Sequence, residues 1–497
     1  MNPLHAVSCV ALDSIATWDA ATWRADCLER RSAGQRLLIA FGRRSTQGVL
    51  VTSVFVDPTG SISASRVLLD PLKGYVSLTP DWPAWHCFER EIFEQTSVRI
   101  DNHPWLKPVR SPRGADMATY PYYSIAGKEV HEVAVGPIHA GVIEPGSFRF
   151  QCRGEQVFHL EVQLGYQHRG VEPLLLQRDS RLLAPLVETI AGDTSIGNSW
   201  AYCAALESLA NVAVAPGDEL MRAVLLELER VGMHMATLSA LAADIGLLQA
   251  ATGYGRLRTI VINGMMRLCG SRFGRGAVRP GGLGGRPRLL ALEDVATQLK
   301  GVVTDLSTLN DYFVSTQSAH HRFVGVGALS PGDAQELGVV GVAARASGVP
   351  VDARFGLADG PYREISLECA AAKDGDCFAR ATIRIDEMTA SLGWLSQALA
   401  CNVLKTCTKE AAVGAASSQP PLKLSPASLA VAIKEGVRGE LLHCLETGAD
   451  GQLVHYKVQD PSFRNWMGLA IAQRGDEVSD FPLCNKSFDL SYCGNDL

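Results

Sequence analysis

The hydrophobic periodicity changes along the chain, and that change limits the fold more than any other feature. Residues 36–70, RLLIAFGRRSTQGVLVTSVFVDPTGSISASRVLLD, alternate short β-branched runs with Gly, Pro and Asp turn signals, the pattern of antiparallel strands. Short strands return over about 131–165, and from there the repeat is helical. The clearest helix starts near Asp218, behind a Pro-Gly signal. There Leu228, Val231, Gly232 and Met235 share one face, and Glu227, Arg230 and His234 form a polar stripe beside it. Further helices are predicted within 292–318 and 385–412. This order predicts an α+β protein, a small N-terminal α+β domain followed by a large, mainly helical one with a short β portion. Between them WLKPVRSPRGADMATYPYYS (105–124) breaks the periodicity with prolines and charges, so the boundary is placed near residue 125, giving domains 1–125 and 126–497. Two loops interrupt the helical part: the Gly- and Arg-rich 271–288 and the connector 414–428.

Several functions are disfavoured. A formal charge of -6 offers no general grip on phosphate backbones, so nucleic acid is not an expected partner. There is no G-x-x-x-x-G-K-[ST], and no G-x-G-x-x-G between a strand and a helix, which removes the usual cradles for ATP and NAD. The first thirty residues lack a signal-peptide pattern, so a cytoplasmic location is expected. The most membrane-like stretch, ATLSALAADIGLLQAATGYG (236–255), contains Asp244 and reads as a buried helix rather than a span. A hydrophobic content of 47% suggests surfaces covered by partners. The thirteen cysteines include no C-x-x-C pair and are odd in number, which argues against a local zinc or iron–sulfur site and against a disulfide framework. They read mainly as small core residues, Cys401 and Cys407 among them, and His320 and His321 read as surface or interface residues.

Several motifs resemble known families. EREIFEQTSVRIDNHPWLKP (89–108) is similar to the signature of the 30-kDa-type subunit of respiratory complex I. GYQHRGVEPLLL (165–176) and ELERVGMHM (227–235) resemble the complex I 49-kDa-type subunit and the large subunits of membrane-bound, energy-converting [NiFe] hydrogenases. GPIHAGVIEPGSFRF (136–150) leans towards the hydrogenases, and RGELLHCL (438–445), DPSFRNWMGLA (460–470) and SFDLSYCGNDL (487–497) extend the likeness to the last residue. Fusion of the two modules is a feature of formate-hydrogenlyase-type large subunits. Without the resemblance, EREIFEQ would read as a solvated helix face; with it, the segment belongs to a docking domain.

The resemblance implies a nickel site, and this chain departs from it. The family's four cysteines fall at Ala191 and Thr194 in ETIAGDTS (188–195) and at Ser491 and Gly494, with Cys493 one residue off register. Soft thiolates bind nickel and bridge it to iron, whereas hydroxyls, methyl groups and hydrogen atoms do not replace them. Complex I uses the corresponding cavity for a quinone. Of its quinone-binding residues His139 matches the first histidine, while the second falls at or near Ser147 and the tyrosine at Gly192. Glu144, Arg438 and Asp489 match the proton-passing glutamate, the overhanging arginine and the neighbouring acid of the hydrogenase site, a candidate proton relay or a structural ion pair. Arg169 and His234 match positions that face the cluster of an iron–sulfur partner; for His234 the alternative is a helix histidine paired near Arg230 or Glu227.

The expected role is the peripheral large subunit of a complex on the cytoplasmic face of the membrane. That complex would couple electron transfer to proton or sodium movement through an iron–sulfur small subunit, other hydrophilic electron-transfer subunits and membrane ion-translocating subunits. The chain itself is expected to bind no cofactor, with a quinone as the acceptor suggested by complex I. The alternative is a non-catalytic scaffold bracing the membrane subunits.

Overall fold

The computed structural model describes residues 7–110, 122–177, 180–357, 360–409 and 422–497. The segment 36–70 forms three antiparallel strands, Arg36–Ser45, Gly48–Val56 and Ile62–Leu69, with Thr17–Trp18 added in parallel at the edge. Helix Ala20–Ser32 starts where Asp19 accepts the amides of Ala21 and Thr22, and it buries Trp23 edge-on against Tyr75 and Trp85, each with ring centroids 5.4 Å away. Helix His86–Thr96 is not a solvated face: Glu89 and Glu91 are both buried. Glu89 accepts from the Ser77 and Thr79 hydroxyls and the Leu78 amide, and Glu91 accepts from Arg110 and from Lys457 of the C-terminal half.

A second four-stranded sheet joins the two halves. Its strands Ser428–Glu435, Glu440–Thr447 and Leu453–Gln459 come from the C-terminal part, but its edge strand is Val7–Ala11, paired with 428–432. The N-terminal segment therefore contributes a strand to the larger body as well as a sheet of its own. Every residue of 428–435 and 440–447 is buried, because both faces are covered. Leu429, Val431 and Ile433 face the N-terminal core, while Ala430 and Ala432 face the helical core. Ion pairs Arg36–Glu440 and Arg43–Glu446, both at 2.7 Å, cross the contact.

The helical body is built on Pro216–Asp244, which packs against Leu248–Cys269 and Cys377–Ala400, with Leu289–Ser315 behind them. The stretch 236–255, expected as one buried helix, is two: the first ends at Asp244, Gly246 turns the chain at φ 73°, and the next begins at Leu248. The helix predicted within 385–412 starts earlier, at Cys377, because Asp376 caps it through the Ala379 amide at 2.7 Å, and it ends at Ala400. The glycine-rich 271–288 contains a two-residue ribbon whose Arg279 and Gly282 carbonyls bind the buried Arg222. Most of the connector 414–428 and of the boundary region before residue 125 lies outside the described residues. The architecture is α+β, and among the described residues no helix is long and apolar enough to cross a membrane.

Candidate functional site

Four chain segments converge on Arg438: the turn ahead of helix Ser195–Ala210, the turn between strands Ser428–Glu435 and Glu440–Thr447, the residues just after strand Leu453–Gln459, and the C-terminal turn 489–494. The Arg438 guanidinium is 7% exposed and makes a two-pronged pair with Asp193, at 3.0 and 2.7 Å. Its Nε donates to the Asp489 carbonyl, and the Asp489 carboxylate lies 3.7 Å from the fork. Asp489 sits in the left-handed region at φ 58°, ending helix Phe481–Phe488, and its other oxygen accepts the Thr237 hydroxyl at 2.8 Å. Burial raises the Asp193 carboxyl, but Arg438 outweighs it and holds the group below its ordinary range.

Cys493 lies at the same place, half-buried, with Sγ 3.4 Å from the Ser491 hydroxyl. Burial pushes its thiol up, and the charges of Glu144, Asp460 and Asp193 push in the same direction, so it stays protonated at neutral pH. Glu144 itself is exposed at the rim. Of the positions assigned to lost cysteines, Ala191 is buried and has no donor. Thr194 Oγ1 accepts from Asn198 at 3.1 Å, and Ser491 Oγ accepts the Gly494 amide at 2.9 Å as a helix cap. A Cβ on Gly494 would stand 2.5 Å from Asp460 Oδ2, so a carboxylate takes the room a side chain would need there.

The remaining predicted residues divide. His139 is half-buried and its Nε2 meets the Gly146 carbonyl at 2.7 Å, folding the loop 136–146 back on itself; Ile138 and Val142 on that loop are 88% and 76% exposed. Ser147 is buried at the start of strand Ser147–Arg153, and Gly192 is exposed beside Asp193. Arg169 is exposed and donates to the Thr189 and Ile190 carbonyls at 2.7 and 3.1 Å, which props the turn that carries Asp193.

His234 is not part of this group and does not face a surface. It is fully buried, with Nε2 2.8 Å from Glu387 of helix Cys377–Ala400 rather than beside Arg230 or Glu227. Burial pushes its pKa down to about 4 against the pull of Glu387, so it is neutral at physiological pH. Glu387 accepts from Arg345 at 2.7 Å, Arg345 binds Glu435 at 2.8 Å, and Arg354 joins Asp352 to Glu227, which also takes Arg230 at 3.1 Å. His320 and His321 are both exposed, and seven of the thirteen cysteines, Cys407 among them, are buried, with Cys401 half-buried.

Sequence reasoning missed three acids. Asp193 stands between two of the assigned ligand positions, and Asp460 opens a matched motif; both were legible as charges inside those stretches but had no spacing to give them a partner. Glu229 lies off the polar stripe of its helix. It accepts the Ile196 and Gly197 amides, at 2.7 and 3.2 Å, at the start of another helix, and burial pushes its carboxyl up to about 8.

Comparisons with known proteins agree with this architecture. Residues 244–496 match the model of the family described as respiratory-chain NADH dehydrogenase, 49 Kd subunit. The carbon monoxide-induced hydrogenase of Rhodospirillum rubrum is 29% identical over 72% of this chain and 97% of its own length. The membrane-bound hydrogenase subunit alpha of Pyrococcus furiosus is 29% identical over 72% of this chain and 85% of its own length. Formate hydrogenlyase subunit 5 of Escherichia coli is 28% identical over 87% and 78%, respectively. With a match over half of its length and hydrogenase subunits among its relatives, the chain belongs to the 49-kDa-subunit family of the respiratory-chain NADH dehydrogenase.

Proposed function

We propose that the chain is the peripheral large subunit of a membrane-attached redox complex, coupling electron transfer to proton or sodium movement, and that its cavity handles protons without holding nickel. The observation that carries this reading is the surroundings of Cys493. Arg438 bridges Asp193 and Asp489 there, with Glu144 and Asp460 close by, while the four assigned ligand positions offer no thiolate. Those residues do not fit a nickel ion. The Thr194 and Ser491 hydroxyls are hard donors already engaged in hydrogen bonds, and Asp460 crowds Gly494.

The partners in this reading are an iron–sulfur small subunit, other hydrophilic electron-transfer subunits and ion-translocating membrane subunits, assembled on the cytoplasmic face. Electrons pass through the partner's clusters. A quinone is the acceptor class suggested by complex I, with His139 at the loop that would meet it, although Ser147 and Gly192 withhold the other two groups of that mode. Arg169, exposed beside the Asp193 turn, is placed to meet the partner. The scaffold reading gains support from one feature, the engagement of both arms of the Arg438 fork by a protein carboxylate, which would hold the cavity shut.

Iron and nickel per mole of the tagged chain, isolated with its partners from solubilised membranes, separate the readings. Stoichiometric iron without nickel supports the redox subunit. An intact complex with neither metal favours the scaffold, and stoichiometric nickel overturns the assignment of the emptied positions.

A further inference from the structure

Many buried carboxylates in the helical body are paired with an arginine: Glu227 with Arg230 and Arg354, Glu387 with Arg345, and Glu207 with Arg222. Glu229 differs. It is 4% exposed, and among the described residues no basic side chain is within ion-pair distance of it. Its oxygens are held only by the amides of Ile196 and Gly197, three and four residues after Asp193. Glu229 is therefore fastened to the turn that presents Asp193 to Arg438. The two acids also line one narrow, largely apolar pocket with Leu228, Met233, Ile262, Met265, Arg272 and Phe273, whose free volume of about 10 Å³ is no more than one water would fill. In so apolar a pocket an unpaired carboxylate without a cation is costly, and the same carboxyl carrying a proton is not. Across the pocket, Asp193 is the one group able to accept that proton.

We propose that Glu229 is the proton store of the cavity, holding one proton at rest and exchanging it with the Asp193 carboxylate across the shared pocket. In each exchange one proton leaves a Glu229 oxygen and one arrives on Asp193; no other bond changes and no electron moves. Arg438 holds Asp193 ionised at rest, so the proton stays on Glu229 until Arg438 gives up its grip or Asp193 hands its own proton onward and must be refilled. The groups that tune Glu229 are few: the amides of Ile196 and Gly197 and the charge of Arg230 favour the ionised form, burial and the charge of Asp193 oppose it, and Arg272 lines the same pocket. The proposal rests on the cavity being a proton-handling site, as argued above.

Infrared difference spectroscopy of the complex with all its subunits, titrated in pH without electron flow, tests it. A protonated-carboxyl band is expected that fades through about pH 8 and is absent in Glu229→Gln, an isostere that keeps an acceptor for the helix amides. In Asp193→Asn, which removes the opposing charge, the band should fade about one pH unit lower. A band that survives Glu229→Gln, or a midpoint that Asp193→Asn leaves in place, overturns the proposal. An Asp193→Asn midpoint that moves sustains it even if the complex turns out to carry no current, because that failure would be read in the metal content instead.

Discussion

Two clusters of charge lie side by side in the helical body, and they are built on opposite rules. Around Arg345 every carboxylate has a cation and every member is buried, from Glu227 through Arg354 and Asp352 to Glu435 and Glu387. Around Arg438 the acids outnumber the cation: Asp193 and Asp489 lie within ion-pair distance of one guanidinium and the charge of Asp460 acts on it too, Asp193 is 38% exposed, and among the described residues Asp460 Oδ2 has no hydrogen-bond partner. In the first cluster each carboxylate is ion-paired in the interior, so it holds helices and strands in register. The second retains unspent acceptor capacity, which is what a site that takes up and releases protons needs.

The comparison breaks first at Arg345. Arg345→Met strands Glu387 and Glu435 in the interior, while Asp352 keeps Arg354, and losing one partner of such a buried network costs about 3–5 kcal/mol. Chemical denaturation of the isolated complex should show that loss, and a stability change under about 1 kcal/mol would mean the lattice is not structural. His234 sharpens the same side. Its folded pKa is about 4 against an ordinary 6.5, so burying the neutral ring adds stability that is whole above pH 6.5 and is lost as pH falls through 4. That shift amounts to at most about 3 kcal/mol, and His234→Phe should flatten the acid limb of the stability curve between those values. A wild-type acid limb retained in the variant would assign the acid sensitivity to other groups.

Arg438 should behave otherwise. In Arg438→Met the half-exposed Asp193 rehydrates, so stability should fall by only about 1–2 kcal/mol, while electron transfer by the complex drops at least about tenfold because no cation holds the cavity acids. Equal losses in the two assays would make the Arg438 cluster a second structural lattice and favour the scaffold.

The uneven legibility of these regions in the sequence has a physical cause. The strands within 36–70 and the long helix, expected from Asp218 and observed from Pro216, were readable because alternation and a start signal are local. The break at Gly246 was hidden by apolar residues that continue through it, and the start at Cys377 by a cap that precedes any periodic residue. The pairing of His234 with Glu387 spans 153 positions, and Glu229 caps a helix that begins some thirty residues before it, so no spacing rule reaches either. Glu144, Arg438 and Asp489 were found by resemblance as a relay or an ion pair; Arg438 does reach Asp489, but the Asp193 that binds it more closely was not named.

The smallest expected effect belongs to Cys493, the one thiol in the cavity. Four neighbours act on it: Ser491, whose hydroxyl contact stabilises the thiolate, and the carboxylates of Glu144, Asp460 and Asp193, which oppose it together with burial. The opposition wins, so the sulfur stays a thiol, a poor nucleophile and a poor metal ligand. Its side chain is only partly buried, and its one sulfur contact, at 3.4 Å, is weak. Cys493→Ala should therefore change stability by no more than about 1 kcal/mol and leave iron and nickel content as they were. Alkylation of Cys493 in the intact complex should be slow at neutral pH and quicken in Glu144→Gln, where one of the opposing charges is gone. Fast alkylation in the wild type would mean that Arg438 rather than the acids governs the sulfur, and the cavity would then be a cation-dominated site of the kind its acid-rich lining now argues against.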